Sequence, residues 1–548
     1  MSYGIYIGNE YTESGDAYLA GYGDEPSSHW LEIFPRKNYK ANDLISVGVS
    51  HTADMPGKRI EIPQINHTFR YIAVNYSYYK GVPAPITNGG LNEYGVAVRD
   101  IWSPSRVELV NMTPKDQTGL NYSDLARLIL ERTRSAREGV ELIGSLISKY
   151  GESSYGGNSH IVADANEAWV VIQFSGGQGL WAAERLSSRS IRVSRPGYIE
   201  EIPINNPNDE NFLYSENLVS FSKNQGWYTS GPFNVNKILG DRKGRWAGVQ
   251  WMEDAMNAII SKGMKISFEK IVWALRTSKF TGDTAGYGQI VPLNSEQLQH
   301  TRVLWHAPIG AISSTFSPVF MGQKSVPIEY SKHRYLTVGE SHRFMDDRKI
   351  DDGDLDSVSF ISQEIESSRC AVMECKRLLY LILQDPKRFH LEVLEIFTAR
   401  EKELLKSTSD MIKIADLLTE NEQDELAVSF LTYFSKNELK NGLDLVISLA
   451  DSIEKRSRIL VNTSDGNIKK LDQLWLEYIN QDDLYLVFLQ VESVFDALGN
   501  ELFYPLKIRL CILHNSHQIR IYCRFYPSAT KVDHTQSSTR KTLYLNHD

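Results

Sequence analysis

The chain has 548 residues, of which 42% are hydrophobic and 23% are charged, and these proportions are typical of a globular protein. Its length predicts more than one domain, because single hydrophobic cores stop growing well below this size. The formal net charge of -9 argues against nucleic acid as a partner, since phosphate binding requires clustered Lys and Arg. The four cysteines form no Cys-x-x-Cys pair, so neither a zinc site nor a disulfide framework is expected.

The sequence shows no pattern typical of a targeting signal or a membrane helix. The N-terminus lacks the basic, apolar and small-residue blocks of a signal peptide, and no segment approaches the ~18 consecutive apolar residues of a membrane helix. We therefore expect a cytoplasmic protein with no membrane partner.

The first candidate for chemistry is Ser2, which directly follows Met1. Methionine aminopeptidase removes Met when the next residue is small, and the mature chain would then begin with a free amine and a hydroxyl on one residue. The amine titrates near ~8 and can take the hydroxyl proton, which makes a minimal nucleophile–base unit. Many proteins begin Met-Ser without any such chemistry, so this dipeptide alone does not establish it.

The N-terminal segment predicts a β-hairpin. Apolar and small residues alternate over 3–8, residues 13–16 are turn formers, and residues 17–23 have the composition of a returning strand. A hairpin returns its far end to its beginning, so Asp24 is expected beside Ser2.

Strands and helices then alternate along the chain. A strand is predicted over 69–76, and a strand–turn–strand unit over 87–98. Two helices are predicted over 122–150, with a break near 137–139. A hairpin over 159–172 and strands over 181–185 and 190–194, continuing the same sheet, follow.

The second half of the chain is predicted to be richer in helix. Residues 210–290 are mostly helical, strands are expected over 301–306 and 310–315, and amphipathic helices fill 359–458. A hairpin is predicted within 507–525, and the last twenty residues are expected to be disordered. The predicted division is a catalytic domain over 1–345, a helical extension over 346–458 that packs on it, and an α/β tail over 459–548.

Several motifs, in order, resemble one family. They are the opening nucleophile–strand–Gly–turn spacing of residues 2–15, the Asn-Glu-Tyr-Gly tip at 92–95, the Asp-x-x-Glu-Ala-Trp hairpin at 164–169, and the late strands at 305–308 and 316–320. Together they resemble the N-terminal-nucleophile (Ntn) dipeptidases, which include bacterial broad-specificity dipeptidases and the animal secernins. The resemblance covers roughly residues 2–458.

The resemblance implies an α+β fold, a four-layer αββα Ntn-hydrolase sandwich, here with a helical C-terminal extension and a short terminal β-hairpin. It implies hydrolysis of a small amide or dipeptide substrate through an acyl-enzyme, in which the terminal amine acts first as base and then as acid. No cofactor and no metal are expected, and a homo-oligomer is an open possibility.

The chain departs from the family at three positions. Family members open with Cys where this chain has Ser2, and a hydroxyl needs more activation than a thiol. Gly21 stands where the family usually carries Arg, and Arg195 stands where it usually carries Asn. These two changes suggest that a positive charge has moved across the site.

Four residues are therefore candidates for catalysis: Ser2, Asp24, Arg195 and Asn92. Asp24 would hold the Ser2 amine by accepting its hydrogen bonds, or it caps a turn. Arg195 would bind a substrate carboxylate or the oxyanion, or it lies on the rim of a degenerate site. Asn92 lines the site or shapes its hairpin through an Asx turn.

Two alternatives to hydrolysis remain open. An amine in place of water would resolve the same acyl-enzyme and make the protein an acyltransferase. The departures at Gly21 and Arg195 also fit a catalytically silent relative that acts as a binding or scaffold protein.

Overall fold

The structure is a computed structural model. It describes residues 2–23, 29–76, 82–83, 85–206, 209–277, 286–309, 311–332, 369–461, 509–515, 518–524 and 542–545. The chain divides into two compact units. Within the described residues, the first unit holds every element up to residue 461, and the second holds the last three strands.

The first sheet of the larger unit has six antiparallel strands in the order β14-β1-β2-β18-β19-β20. The predicted N-terminal hairpin forms its centre, and β1 pairs with β2 from Tyr3 opposite Tyr22 to Ile7 opposite Tyr18. Strand bounds are β1 Tyr3–Ile7, β2 Ala17–Tyr22, β14 Ile191–Ser194, β18 Gly288–Leu293, β19 Val303–Ala307 and β20 Ser317–Phe320.

The second sheet has eight antiparallel strands in the order β16-β13-β12-β11-β10-β9-β8-β3. Its residues alternate between two apolar layers, as the period of two requires: Val170 faces one core and Val171 the other. Strand bounds are β3 His29–Phe34, β8 Tyr71–Tyr76, β9 Ile86–Asn92, β10 Ala97–Trp102, β11 Asn158–Ala163, β12 Ala168–Gln173, β13 Trp181–Leu186 and β16 Phe212–Tyr214.

Three two-stranded ribbons complete the β-structure of this unit. They pair β4 Lys37–Asn38 with β7 His67–Thr68, β5 Leu44–Val47 with β6 Ile60–Pro63, and β15 Glu201–Ile202 with β17 Phe233–Asn234.

The helices begin where the sequence supplies caps. Asn121 forms a capping box with Asp124, and the side chains of Ser135 and Ser267 accept backbone N–H bonds at two other starts. Helix bounds are α1 Val107–Met112, α2 Tyr122–Arg132, α3 Ala136–Tyr150, α4 Leu218–Asn224, α5 Val235–Leu239, α6 Ala247–Ile260, α7 Phe268–Arg276, α8 Ala371–Gln384, α9 Pro386–Glu420 and α10 Asp424–Val461.

The two large sheets face each other, and helices cover their outer sides. Strands β1 and β2 pack against β10, so the larger core lies between the sheets. Helices α2 and α3 pack on the far side of the eight-stranded sheet over a second core. Helices α6 and α7 pack against β14 and β2, and α9 and α10 pack against β20.

The second unit contains a three-stranded antiparallel sheet in the order β21-β22-β23. The bounds are β21 Arg509–Asn515, β22 Gln518–Arg524 and β23 Thr542–Leu545. The predicted hairpin corresponds to β21 and β22, while β23 is a strand within the residues expected to be disordered.

One predicted helix boundary and one predicted strand were wrong. The break between the two helices lies at 133–135 and not near 137–139, because Gly139 sits inside α3 and lets it approach the sheet: a Cβ there would lie 2.8 Å from Val162 Cγ1. Described residues in 311–315 form no strand, and serine side chains bond local carbonyls there, as Ser313 Oγ does to Ile309 O at 3.2 Å.

One strand was predicted in the wrong sheet. Strand β14 was expected to continue the sheet of β13, but it crosses to the six-stranded sheet and pairs with β1, with Ser194 opposite Gly4. The crossing matters for the site, because it brings Arg195 to the start of β1. The domain division at 345 and 458 stays a prediction, and residues 333–368 lie outside the described part.

Candidate functional site

Ser2 lies immediately before β1 and is half-buried. Extending the pairing of β1 and β2 by one residue places Ser2 opposite Gly23. Residues two apart in a strand point to the same sheet face, so the Ser2 side chain leaves the sheet on the face where a Cβ on Gly4 would lie 2.9 Å from the side chains of Ile101 and Ile161. The Ser2 side chain therefore lies on the face that points toward the eight-stranded sheet.

Arg195 is brought directly to Ser2. It follows the last residue of β14, and its Nη1 donates to the Ser2 carbonyl oxygen at 2.7 Å. Its guanidinium carbon lies 5.9 Å from the ring centroid of Trp246, whose backbone N–H donates to the Arg195 carbonyl at 3.0 Å. The contact fixes the backbone of Ser2, while a role toward substrate stays a prediction.

Asp24 lies outside the described residues, so its predicted contact with the Ser2 amine stays a prediction. Strand β2 ends at Tyr22, and the next residue, Gly23, donates its N–H to the Tyr287 carbonyl at 2.8 Å.

Asn92 is buried at the end of β9, and its amide holds the hairpin and a helix together. Its Oδ1 accepts from the backbone N–H groups of Tyr94 and Val96, each at 3.0 Å. Its Nδ2 donates to the carbonyls of Leu130 at 3.2 Å and Thr133 at 2.7 Å. These four bonds use the full capacity of the side chain, so the geometry gives Asn92 a structural role, and its participation in catalysis stays a prediction.

The sequence interpretation overlooked Arg99, a fully buried residue of β10. A Cβ on Gly21 would lie 2.5 Å from both Cδ and Nε of Arg99, so the arginine occupies the space that any side chain at position 21 would need. Its Nη1 donates to the Asn88 carbonyl at 3.2 Å and to the Tyr287 hydroxyl. The available signal was the alternation of β10, which puts Arg99 on the same face as Ala97 and Ile101.

Two polar residues, Gln289 and His306, lie beside Gly21 on the next strands of the six-stranded sheet. Gly21 pairs with Gln289, and Gln289 pairs with His306, so all three share the face toward the other sheet. Gln289 Oε1 and His306 Nδ1 are buried and have no hydrogen-bond partner among the described residues. Burial lowers the pKa of His306 to about 3, so this imidazole is neutral at physiological pH.

Asp100 projects to the opposite face of β10 from Arg99. In the orientation that satisfies its hydrogen bonds, the Asn88 amide donates to the Asp100 carboxylate. Burial raises the pKa of Asp100 to about 7, and the nearby Arg99 charge opposes that rise. This carboxyl group therefore changes charge near neutral pH.

His160 lies opposite Asp100 on the neighbouring strand β11, and both of its ring nitrogens are used in structural hydrogen bonds. One ring nitrogen lies 3.0 Å from Gln173 Oε1 and the other 3.0 Å from the Tyr122 carbonyl, and burial lowers the pKa of His160 to about 4.

In the described ranges, no group of three or more His, Cys, Asp or Glu could hold a metal ion. No helix within those ranges is long and apolar enough to cross a membrane.

Part of the chain is similar to a known family of peptidases. Residues 58–245 match the family model described as Peptidase family C69. This range includes Asn92, Arg99 and Arg195, and it does not include Ser2.

Individual relatives are similar over parts of the chain. A "Probable dipeptidase B" of Streptococcus pyogenes serotype M3 is 27% identical over 239 residues, which is 43% of this chain and 45% of the relative. A "Probable dipeptidase" of Latilactobacillus sakei is 31% identical over 156 residues, 28% of this chain and 31% of the relative. A "Probable dipeptidase" of Salmonella dublin is 36% identical over 125 residues, 22% and 27% respectively. The chain thus spans less than half the length of these relatives.

Among solved structures, a mutant conjugated bile acid hydrolase from Clostridium perfringens aligns with 62% of this chain and 99% of its own. The TM-score is 0.31 and the sequence identity 11%. A TM-score this low does not establish a shared topology.

Proposed function

We propose that this protein is an amide-bond hydrolase, a dipeptidase or small-amide amidohydrolase, that uses Ser2 as an N-terminal nucleophile after removal of Met1. The observation that carries the proposal is the position of Ser2 at the head of β1, facing the interior between the sheets, with its carbonyl held by Arg195 at 2.7 Å. The similarity of residues 58–245 to a peptidase family supports the reaction class.

The proposed reaction uses one residue as nucleophile and base. The Ser2 amine takes the hydroxyl proton while Oγ attacks the amide carbon, and the resulting ammonium then protonates the leaving amine. Water, deprotonated by the same amine, releases the acid from the ester intermediate. Asp24 would orient the amine, and Arg195 or backbone N–H groups would stabilise the oxyanion.

The fold proposed for this function is the four-layer αββα Ntn-hydrolase sandwich. Its support is the packing of α2 and α3 outside the eight-stranded sheet and of α6 and α7 outside the six-stranded sheet. A small amide or dipeptide substrate, action without cofactor, and a cytoplasmic location complete the proposal.

The deciding experiment starts from protein with an unmodified N-terminus and any tag at the C-terminus. Intact mass first reports whether Met1 has been removed, and a retained Met1 contradicts the proposal. The processed protein is then incubated with dipeptide and acyl-amide libraries. We expect hydrolysis, and a product formed only with added amine acceptors would instead identify an acyltransferase.

Variants at position 2 test the nucleophile. Ser2→Ala keeps a small second residue, so Met1 is still removed and the amine is still free, and we expect kcat to fall by at least about 10³-fold. Ser2→Cys is expected to retain activity. The matched control is Ser145→Ala, an exposed α3 residue whose hydroxyl donates to the Leu142 carbonyl. Equal activity of Ser2→Ala and wild type would contradict the proposal, and no activity with any substrate would favour a silent relative.

A further inference from the structure

Ser194 is a buried serine beside Ser2, and its hydroxyl has no hydrogen-bond partner among the described residues. The residue is 1% exposed. A buried hydroxyl without a partner destabilises the folded state, because it gives up its bonds to water and receives none in return. Packing alone therefore does not explain why this position carries a serine.

Ser194 and Ser2 lie on neighbouring strands and point to the same side of the sheet. Ser194 is the last residue of β14, and it pairs with Gly4 of β1. Directly opposite residues share a sheet face, and so do residues two apart in one strand. Both serine side chains therefore point toward the eight-stranded sheet. Ser194 is the diagonal neighbour of Ser2, and the Cβ atoms of such neighbours lie about 7–8 Å apart or somewhat less.

Arg195 leaves its strand on the opposite face. Its guanidinium carbon lies 5.9 Å from the ring centroid of Trp246, which directly precedes α6, and α6 packs against β14. From there its Nη1 donates to the carbonyl oxygen of Ser2. Ser194, rather than Arg195, therefore faces the layer into which the Ser2 side chain points.

Two other buried groups in the same row also have no partner among the described residues. They are Gln289 Oε1 and His306 Nδ1. Gln289 belongs to β18 and His306 to β19, whereas β14 is directly adjacent to β1 in the strand order. Ser194 is therefore the member of this row that lies nearest to Ser2.

We propose that Ser194 is a further catalytic residue, whose hydroxyl donates a hydrogen bond to the substrate oxygen that becomes negative when Ser2 attacks. This inference rests on the proposed function, because it requires Ser2 to be the nucleophile. As the Ser2 oxygen bonds to the amide carbon, the π electron pair of the C=O bond moves onto the substrate oxygen. The Ser194 proton stays on its own oxygen throughout. The pair returns when the C–N bond breaks and the leaving amine takes its proton from the Ser2 ammonium.

The spacing and the surroundings of the two serines suit this role. The substrate oxygen is bonded to the carbon that Ser2 attacks, so it can lie between two side chains whose Cβ atoms are about 7 Å apart. Ile101 and Ile161 pack over Gly4, where a Cβ would lie 2.9 Å from each, and they exclude water from this layer. A hydroxyl that is already desolvated forms a stronger bond to a developing negative charge than one in water does.

The first test compares stability, and it does not depend on catalysis. Ser194→Ala removes a hydroxyl that makes no bond inside the protein, so we expect a urea unfolding midpoint equal to or above that of wild type. The matched control is Ser222→Ala in α4. Ser222 is also buried, but its Oγ donates to the Leu218 carbonyl at 2.8 Å, so we expect its loss to lower the midpoint. A clearly lower midpoint for Ser194→Ala would show that the hydroxyl serves the fold and would overturn the inference.

The second test measures the proposed bond with phenylboronic acid as the probe. Boron forms a tetrahedral adduct with a serine hydroxyl, and one of its own oxygens then takes the place of the negative substrate oxygen. Calorimetry on processed protein should show binding that is weaker by about tenfold or more in Ser194→Ala. Ser194→Cys is similar in size to wild type but has only a weak donor, so we expect it to bind as weakly as Ser194→Ala. Binding as tight as wild type in either variant would overturn the inference.

Kinetics give an independent measurement of the same bond. We expect kcat to fall by about 10²–10³-fold in Ser194→Ala with little change in KM, because the bond strengthens only as charge develops. Ser222→Ala should keep the wild-type kcat. A change in KM alone would overturn the inference.

Failure of the proposed function has a different signature. In that case Met1 is retained, or wild type and Ser2→Ala bind phenylboronic acid equally and neither hydrolyses any substrate, and the inference falls with it. If wild type binds the probe through Ser2 and Ser194→Ala binds it equally well, only the role of Ser194 is overturned.

Discussion

Asn92 shows how a residue in a family motif can serve the fold. Its amide closes the turn after β9 through Tyr94 and Val96 and ties that turn to the C-terminal end of α2. A residue with both donors and acceptors is needed there, because two N–H groups and two carbonyls converge on it. The sequence suggested the Asx turn, but only packing shows the link to the helix.

Replacing Asn92 should therefore cost stability. Asn92→Ala leaves buried backbone groups unpaired, and we expect the free energy of unfolding to fall by about 2–4 kcal/mol. Asn92→Asp keeps the acceptor for Tyr94 and Val96 and loses the donors. Urea unfolding monitored by circular dichroism measures both, with the peptidase assay alongside. Full stability combined with lost activity would place Asn92 in the catalytic site instead.

A buried ion pair connects helices that are distant in sequence. Arg276 at the end of α7 donates to Glu401 of α9 at 2.8 Å, and their side chains are 3% and 6% exposed. Glu401 also accepts the N–H of Phe316 at 2.8 Å, at the entry to β20. This cluster fixes the helical segment 371–461 to the six-stranded sheet.

Breaking this pair should destabilise the larger unit. Glu401→Ala leaves Arg276 buried without its partner, and we expect a loss of about 3–5 kcal/mol. Asp451→Asn is the control, because it removes one negative charge from the exposed Arg377 cluster, where such pairs contribute about 0–1 kcal/mol. Thermal unfolding compares the two. Similar small shifts in both variants would show that packing alone holds α9.

The stability of the molecule as a whole should depend on buried carboxyl groups. Glu152 is 6% exposed, and its Oε2 has no hydrogen-bond partner among the described residues. Burial raises its pKa to about 8, and the Ser154 hydroxyl partly opposes this. The folded state therefore binds a proton that the unfolded state releases near its ordinary pKa of about 4.3.

The sign of the resulting pH dependence follows from proton linkage. Between about pH 4.3 and pH 8 the folded state holds more protons, so raising the pH reduces stability. Glu152→Gln removes this dependence, and we expect the variant to exceed wild type at pH 8 by a few kcal/mol and to match it more closely near pH 4.5. Urea midpoints from pH 4.5 to pH 8.5 measure the difference. A variant that loses stability at every pH would contradict the assignment.

Local residue patterns were enough to locate most of the strands and helices that position the candidate site. Alternation of apolar residues located the β1–β2 hairpin and the strands at 158–173, and apolar spacing located α2 and α3, because side-chain periodicity depends only on backbone geometry. The sequence also placed Ser2 at the head of a strand. The chemistry proposed for Ser2 stays a prediction.

Contacts between distant segments became visible only in the packed sheets. It moved β14 into the six-stranded sheet, so that Arg195 reaches Ser2, and it filled the space over Gly21 with Arg99 from the facing sheet. No local pattern encodes these contacts, because each depends on the packing of two sheets whose strands come from remote parts of the chain.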